Sequence, residues 1–156
     1  MALEKVISYF DSVGLKDRVK VFEQSSATVE LAAAALGTAP ERIAKTLSFL
    51  VDDNPILIVA AGDARVDNKK YRTFFGAKAK MIPSEDVERL IGHAIGGVCP
   101  FAINEGVKVY LDESLKRFET VFPACGSSNS AIELTMNELE KYSNSSNWID
   151  VSKLPE

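Results

Sequence analysis

A chain of 156 residues falls in the range of a single domain, expected here over 1–156, and is long enough to bury a core of its own. Its 46% hydrophobic and 26% charged residues are the balance of a soluble globular protein, and its longest apolar run, Ile56 to Ala61, is far too short to cross a bilayer. A net charge of −4 disfavours a broad duplex DNA footprint, and two cysteines and one histidine without close spacing argue against a disulfide framework or a structural zinc site.

In chain order, Leu3, Val6, Ile7 and Phe10 recur at helical spacing, and Gly14 closes that segment. Val19 to Glu23 reads as a short strand. Ser25-Ser26-Ala27-Thr28 is a hydroxyl-rich loop, with Thr28 placed to cap a helix from Val29 to Leu36 that ends at Gly37. Thr38-Ala39-Pro40-Glu41 has the pattern of a capping box and predicts a second, short helix. Lys45 to Val51 then alternates, with Leu47, Phe49 and Val51 on one face. Asp52 to Pro55 is turn chemistry, and Ile56 to Ala61, apolar on both faces, predicts a central buried strand.

Asp67 is placed to cap a helix from Asn68 to Phe75, closed by Gly76. Ala77 to Ile82 predicts a half-exposed strand, and Ser84-Glu85-Asp86 opens a helix carrying Val87, Leu90 and Ile91 inward. Phe101 to Ile103 and Val107 to Leu111, joined at Asn104-Glu105-Gly106, predict a hairpin. After Phe122-Pro123 and a polar loop from Cys125 to Asn129, a strand is expected over Ala131 to Leu134. Thr135 to Glu138 repeats the capping-box pattern before a last helix, and Trp148 to Val151 forms an apolar tail patch. The mixture of short strands and helices points to an α+β fold, not a regular doubly wound sheet.

The stretch with the most chemistry in it is Gly92 to Phe101 (GHAIGGVCPF). Adjacent glycines permit a sharp turn and a close backbone approach, and the fixed φ of Pro100 stiffens the end of the loop. The amides of Gly96 and Gly97 suit a carbonyl that gains negative charge during reaction. The alternative is a tight turn between helix and strand. Cys99 reads as packing more than as a nucleophile, and His93, with no nucleophile at a recognisable spacing, as a loop or surface residue. No glycine-rich phosphate loop of the nucleotide-binding types is present, so no cofactor is expected. Charge is uneven: between Asp63 and Lys80, six basic residues face two acidic ones, leaving about −8 for the remainder.

Four motifs occur together: Ala44-Lys45-Thr46-Leu47 at a strand start, Gly62 to Lys70 (GDARVDNKK), Gly96 to Phe101 (GGVCPF), and Gly126 followed by Ile132-Glu133-Leu134. In this order, over roughly Val19 to Leu139, they resemble the YbaK/prolyl-tRNA synthetase editing-domain family. The resemblance implies an α+β fold with a mixed, mostly antiparallel, barrel-like sheet surrounded by helices. It implies a freestanding, cytoplasmic trans-editing deacylase that hydrolyses the ester of a mischarged tRNA, a prolyl-type tRNA with a small wrong amino acid being the favoured case. The family lysine matches Lys45, and its Gly-x-x-x-Pro motif matches Gly96 to Pro100. Lys45, Gly96 and Gly97 are therefore the expected catalytic residues. Ser26, Thr28, Thr46, Val98, Pro100, Phe101, Ser128 and Asn129 are expected to contact substrate. Arg65, Lys69, Lys70 and Arg72 are expected to contact tRNA.

An activated ester needs positioning, an oxyanion site and water more than a strong nucleophile, so the lack of an obvious side-chain base is compatible with this activity. Lys45 suits a phosphate or ribose as a point charge reaching in from the sheet edge. The family branch acting on cysteinyl-tRNA tends to carry an aspartate where this chain has Ala131, and the branch acting on alanyl-tRNA a histidine where it has Phe122. Neither marker is present, so the amino acid removed stays open. The expected partners are the acceptor end of a mischarged aminoacyl-tRNA and an aminoacyl-tRNA synthetase, with neither membrane nor DNA. The alternative is a non-catalytic module of the same fold that holds an aminoacyl-tRNA or nucleotide end.

Overall fold

The computed structural model describes residues 2–145 and 147–155. In chain order the helices are α1 (Ala2–Ser12), α2 (Val29–Leu36), α3 (Asn68–Phe75), α4 (Ser84–Ile91) and α5 (Met136–Tyr142). The strands are β1 (Lys20–Val21), β2 (Ile43–Val51), β3 (Asn54–Ala61), β4 (Arg65–Val66), β5 (Lys108–Asp112), β6 (Thr120–Pro123), β7 (Ser130–Ala131), β8 (Leu134–Thr135), β9 (Asn147–Ile149) and β10 (Ser152–Lys153).

A curled six-stranded sheet in the order β8-β6-β2-β3-β5-β9 forms a half-barrel. Its longest ladder is the antiparallel β2–β3 hairpin, which turns through Asp52 and Asp53, both at positive φ. β6 joins β2, β5 joins β3 and β9 joins β5 in parallel. The fold is therefore the expected α+β class, with short antiparallel ladders β1–β7 and β4–β10 beside the main sheet.

The burial of β3 explains its composition. Leu57, Val59 and Ala61 pack into the larger core with Val6 and Phe10 of α1, Val87 and Ile91 of α4, and Leu139 of α5. Ile56 and Ile58 point the other way, onto Phe49, Tyr71 of α3, Ile149 and Val151. Both faces are dry, so alternation vanishes from the sequence. Leu47 and Val51 join Phe49 in that second cluster, as their spacing predicts.

The helix signals hold where a side chain caps. Thr28 accepts from Leu31 N, Asp67 accepts from Lys69 N and Lys70 N, and Thr135 with Glu138 forms the full capping box. Gly37 and Gly76 close their helices in the left-handed conformation.

Four local expectations are corrected. Residues Pro40–Arg42 make only a 3-10 turn, whose N-cap position is Ala39 and which no side chain caps; β2 accordingly starts at Ile43. The strand expected over 77–82 reduces to one bridge between Phe49 and Met81, with Leu50 N donating to Lys80 O and Ile82 N to Ser48 O. Phe101 does not enter a hairpin, since Ala102 takes a positive φ and β5 pairs in parallel with β3 and β9. The strand expected over 131–134 is split between β7 and β8, which pair with different partners. The tail patch contributes a strand: β9 extends the sheet, and Val151 is fully buried.

Candidate active site

The free edge of β2 creates the site. Leu50 N and Ser48 O point away from β3 to residues 80 and 82, so the even-numbered backbone groups of β2 face that edge. Ala44 is used by β6, whose register with β2 ends at Pro123. Thr46 lies between the two. Among the described residues its outward N–H and C=O have no partner, and its buried Oγ1 has none either. Three unpaired polar groups of one residue at a strand edge favour an extended, hydrogen-bonding ligand.

A cavity of about 290 Å³ opens over this edge. Ile43 to Ser48 form its floor, residues 26–29 and Ala32 one wall, Ile95, Gly96 and Val98 another, and Phe122, Ala124, Ser130 and Ala131 close the end. Among the described residues, no charged side chain other than Lys45 lines it. Met81 and Ile95, both largely exposed, stand at its rim.

Three loops meet to make the walls. Ser26 N donates to Ser128 O at 2.6 Å, and the Ser25 and Ser26 hydroxyls donate to the same carbonyl at 3.3 Å. Gly97 packs directly on the backbone of Gly126 and Ser127, so near that a Cβ would lie 2.7 Å from two of their atoms. Its amide donates to Ala94 O, closing a turn. Gly96 adopts φ +95 and faces Ala27 and Ser128. Among the described residues nothing accepts from the Gly96 or Val98 amides.

Lys45 lies beneath this cavity, inside the sheet and not at its edge. Its Nζ donates to Ala64 O and, at 3.4 Å, to Gly62 O, which holds the ammonium at the turn after β3. Burial lowers its pKa; Asp63 raises it, Arg65 lowers it and Glu30 raises it. The same side chain lines a second cavity of about 600 Å³ with residues 62–65 and 153–155. Among the described residues, Lys45 is thus the one shared by both openings.

Of the residues expected from sequence, Ser26, Thr28, Lys45, Thr46, Gly96 and Val98 converge on the first cavity. The others lie around it. Gly97 and Pro100 are buried behind the loop, and Phe101 is a core residue packed edge-on against Phe10 at 4.8 Å. Ser128 and Asn129 stitch loops together, Asn129 Nδ2 donating to Phe22 O and Phe22 N to Asn129 O. Arg65 lines the second cavity, whereas Lys69, Lys70 and Arg72 sit on exposed faces of α3, Lys70 Nζ being held by Asp150 Oδ1 and Ser152 O.

His93 lies in the loop after α4, within the expected loop or surface reading, but it is fully buried there. Its Nε2 lies 2.7 Å from Phe101 O and 3.5 Å from Cys99 Sγ. Burial lowers the His93 pKa and pushes the Cys99 thiol up to about 12, so this histidine–cysteine pair is packing and not a nucleophilic dyad. Two groups gave no sequence signal: Lys153 in the tail, and Asp112, whose fully buried carboxylate accepts from Ser114 N, Val151 N and Ser152 Oγ.

Comparison with known proteins matches this architecture. The chain is 56% identical over 154 residues to the uncharacterized protein YwhH of Bacillus subtilis (strain 168), covering 98% of each. It is 26% identical over 103 residues to the proline--tRNA ligase of Lactiplantibacillus plantarum (strain ATCC BAA-793 / NCIMB 8826 / WCFS1), of which it spans 18%. A crystal structure provisionally described as a trans-editing enzyme for prolyl tRNA synthetase superposes with a TM-score of 0.87 at 27% identity, covering 97% of both chains. The aminoacyl-tRNA editing domain family model matches residues 23–142, and the chain belongs to that family.

Proposed function

We propose that this protein is a trans-acting aminoacyl-tRNA deacylase that hydrolyses the ester of a mischarged tRNA, a prolyl-type tRNA carrying a small uncharged amino acid being the favoured substrate. The observation that carries this reading is the meeting of Lys45, the unpaired polar groups of Thr46 and the Gly96 loop on one small, mostly apolar cavity. An aminoacyl group is short, and its amine complements the free C=O of Thr46, which leaves its carbonyl to the amides of the Gly96 loop. The apolar end formed by Phe122, Ala124 and Ala131 fits a small uncharged side chain and offers a charged one no partner.

In this mechanism water adds to the ester carbonyl carbon, and the oxyanion is received by the free amides of Gly96 and Val98. The bond to the ribose oxygen breaks, and that oxygen leaves as the hydroxyl of the terminal adenosine after taking a proton. Gly97 shapes the loop and does not donate, because its N–H is already bound to Ala94 O. Lys45 holds the ribose-phosphate end with its remaining N–H donor. Arg65, Lys69 and Arg72 supply further positive charge towards the tRNA, with an editing role alongside a synthetase in the cytoplasm.

The test is single-turnover deacylation across a panel of mischarged tRNAs, with wild type, Lys45→Ala and Lys45→Arg. Loss of a charge-assisted contact of about 1.5–3 kcal/mol predicts a roughly ten- to hundredfold fall for Lys45→Ala. Rescue by arginine should be poor, because its planar fork cannot match a compact ammonium held by two carbonyls. Undiminished turnover in Lys45→Ala would overturn the proposed role. Tight binding of mischarged tRNA by wild type without turnover would favour a non-catalytic binding module.

A further inference from the structure

The second cavity has a composition that the ester chemistry does not explain. In the β4–β10 ladder, Lys153 and Arg65 are direct cross-strand partners. Opposed like charges on such a ladder repel and are destabilising. Both side chains line the cavity, both residues are exposed, and no ion pair involves either among the described residues. Lys45 supplies a third cation from the inner wall.

Two of the nearby carboxylates, Asp63 and Asp67, are committed to other partners, and a third, Glu30 of α2, acts on Lys45. Asp63 receives Arg117 on both oxygens, at 2.6 and 3.1 Å. Asp67, which feels Lys153, accepts from the first amides of α3. The tail that carries Lys153 is fastened in place. Asp67 N donates to Val151 O at 2.8 Å, Lys70 Nζ to Ser152 O at 2.9 Å, and Ser152 Oγ to the buried Asp112 at 2.5 Å. A like-charge pair held face to face by a pinned ladder, opening on the underside of Lys45, is a preformed anion site.

We infer that the cleft formed by Arg65, Lys153 and Lys45 binds a backbone phosphate of the single-stranded 3′ end of an RNA. This rests on the deacylase reading for the identity of the RNA, since Lys45 connects the cleft to the cavity for the aminoacyl end. The C-terminal tail is then part of the substrate site: Lys153 contacts phosphate, and Leu154 and Pro155 form an apolar lip beside it.

The test is equilibrium binding of a short uncharged RNA ending in CCA, over a range of salt concentrations, to wild type, Lys153→Gln and Arg65→Gln. Inorganic phosphate and adenosine are titrated as separate ligands, and melting temperatures are measured alongside. Each substitution should weaken RNA binding about tenfold and flatten the log K against log salt slope by about 0.7, the value for one contact to a single strand. Adenosine binding should not change. Melting temperature without ligand should hold or rise in both variants, because the repulsion is removed, whereas a merely structural role would lower it. Unchanged RNA affinity and slope, absence of RNA binding by wild type, or tighter binding of inorganic phosphate than of RNA would each overturn the inference. The two readings fail separately. Weakened RNA binding in the variants, with no turnover of any mischarged tRNA by wild type, leaves the phosphate site standing and removes the deacylase. Turnover with an unchanged salt slope does the reverse.

Discussion

Gly97→Ala and Gly96→Ala separate the architecture of the loop from its chemistry. At Gly97 a Cβ would sit 2.7 Å from Gly126 C and Ser127 N and 2.8 Å from Gly126 O, all backbone. Comfortable contact between such atoms begins near about 3.5 Å, so the two loops would have to part by roughly 0.8 Å. Overpacking of this kind costs about 1–3 kcal/mol. Disturbing the Gly97 N–Ala94 O bond adds about 1 kcal/mol. At about 2–4 °C per kcal/mol for a chain of this size, the melting temperature should fall by roughly 4–16 °C. At Gly96 there is room, the nearest atoms being Ser128 Cβ at 3.5 Å and Ala27 Cβ at 3.7 Å, and the cost is backbone strain at φ +95. That strain is about 1–2 kcal/mol, or roughly 2–8 °C. Both variants should lose turnover on mischarged tRNA, by about a hundredfold if the loop shifts by near 1 Å. The assay pairs thermal melts with kcat/KM. A Gly97→Ala protein that melts with wild type, or a Gly96→Ala protein that is clearly the less stable of the two, would refute the loop-contact reasoning.

Asp112→Ala leaves the Ser114 and Val151 amides and the Ser152 hydroxyl without their acceptor. The penalty of roughly 2–4 kcal/mol should appear as a lower melting temperature and faster proteolysis of the tail, and wild-type behaviour in both would show that the tail is held otherwise. Cys99 should resist iodoacetamide at pH 8 in the native protein, because burial pushes its thiol up to about 12; rapid native labelling would contradict that. The hydrogen-bonded Arg117 guanidinium holds the Asp63 carboxyl below the usual aspartate range. Its stabilisation is therefore present above the unfolded value, near about pH 4, and lost as pH falls through the lowered folded value. Arg117→Met should make the acid limb of stability against pH shallower, and an unchanged limb would remove the pair from the account.

Local signals determined much of this protein. Thr28, Asp67 and the Thr135–Glu138 box set helix starts because a cap depends on atoms within three residues of each other. The run Ile56 to Ala61 announced a strand with both faces buried, and the ordered motifs announced the family. Part of the candidate site followed from the family motifs: Lys45, Thr46, Gly96 and Val98 line one cavity, whereas Gly97, Pro100 and Phe101 do not. What the sequence did not contain was partner choice. Phe101 to Ile103 and Val107 to Leu111 looked like a hairpin, yet β5 pairs in parallel with strands far away in the chain, a register set by long-range burial. His93 lies in a loop, as its surroundings suggested, but nothing nearby in the sequence shows that Phe101 O closes over it and buries it. Whether an amide is free was equally a tertiary matter: Gly97 spends its N–H on Ala94, while Thr46 keeps its own only because the β6 register stops at Pro123. Lys153, an ordinary tail lysine by composition, acquires its place opposite Arg65 through Asp112, 41 residues earlier, whose buried carboxylate fixes the tail. Short-range chemistry wrote the elements, and burial of distant segments against each other decided which of their polar groups were left without a partner.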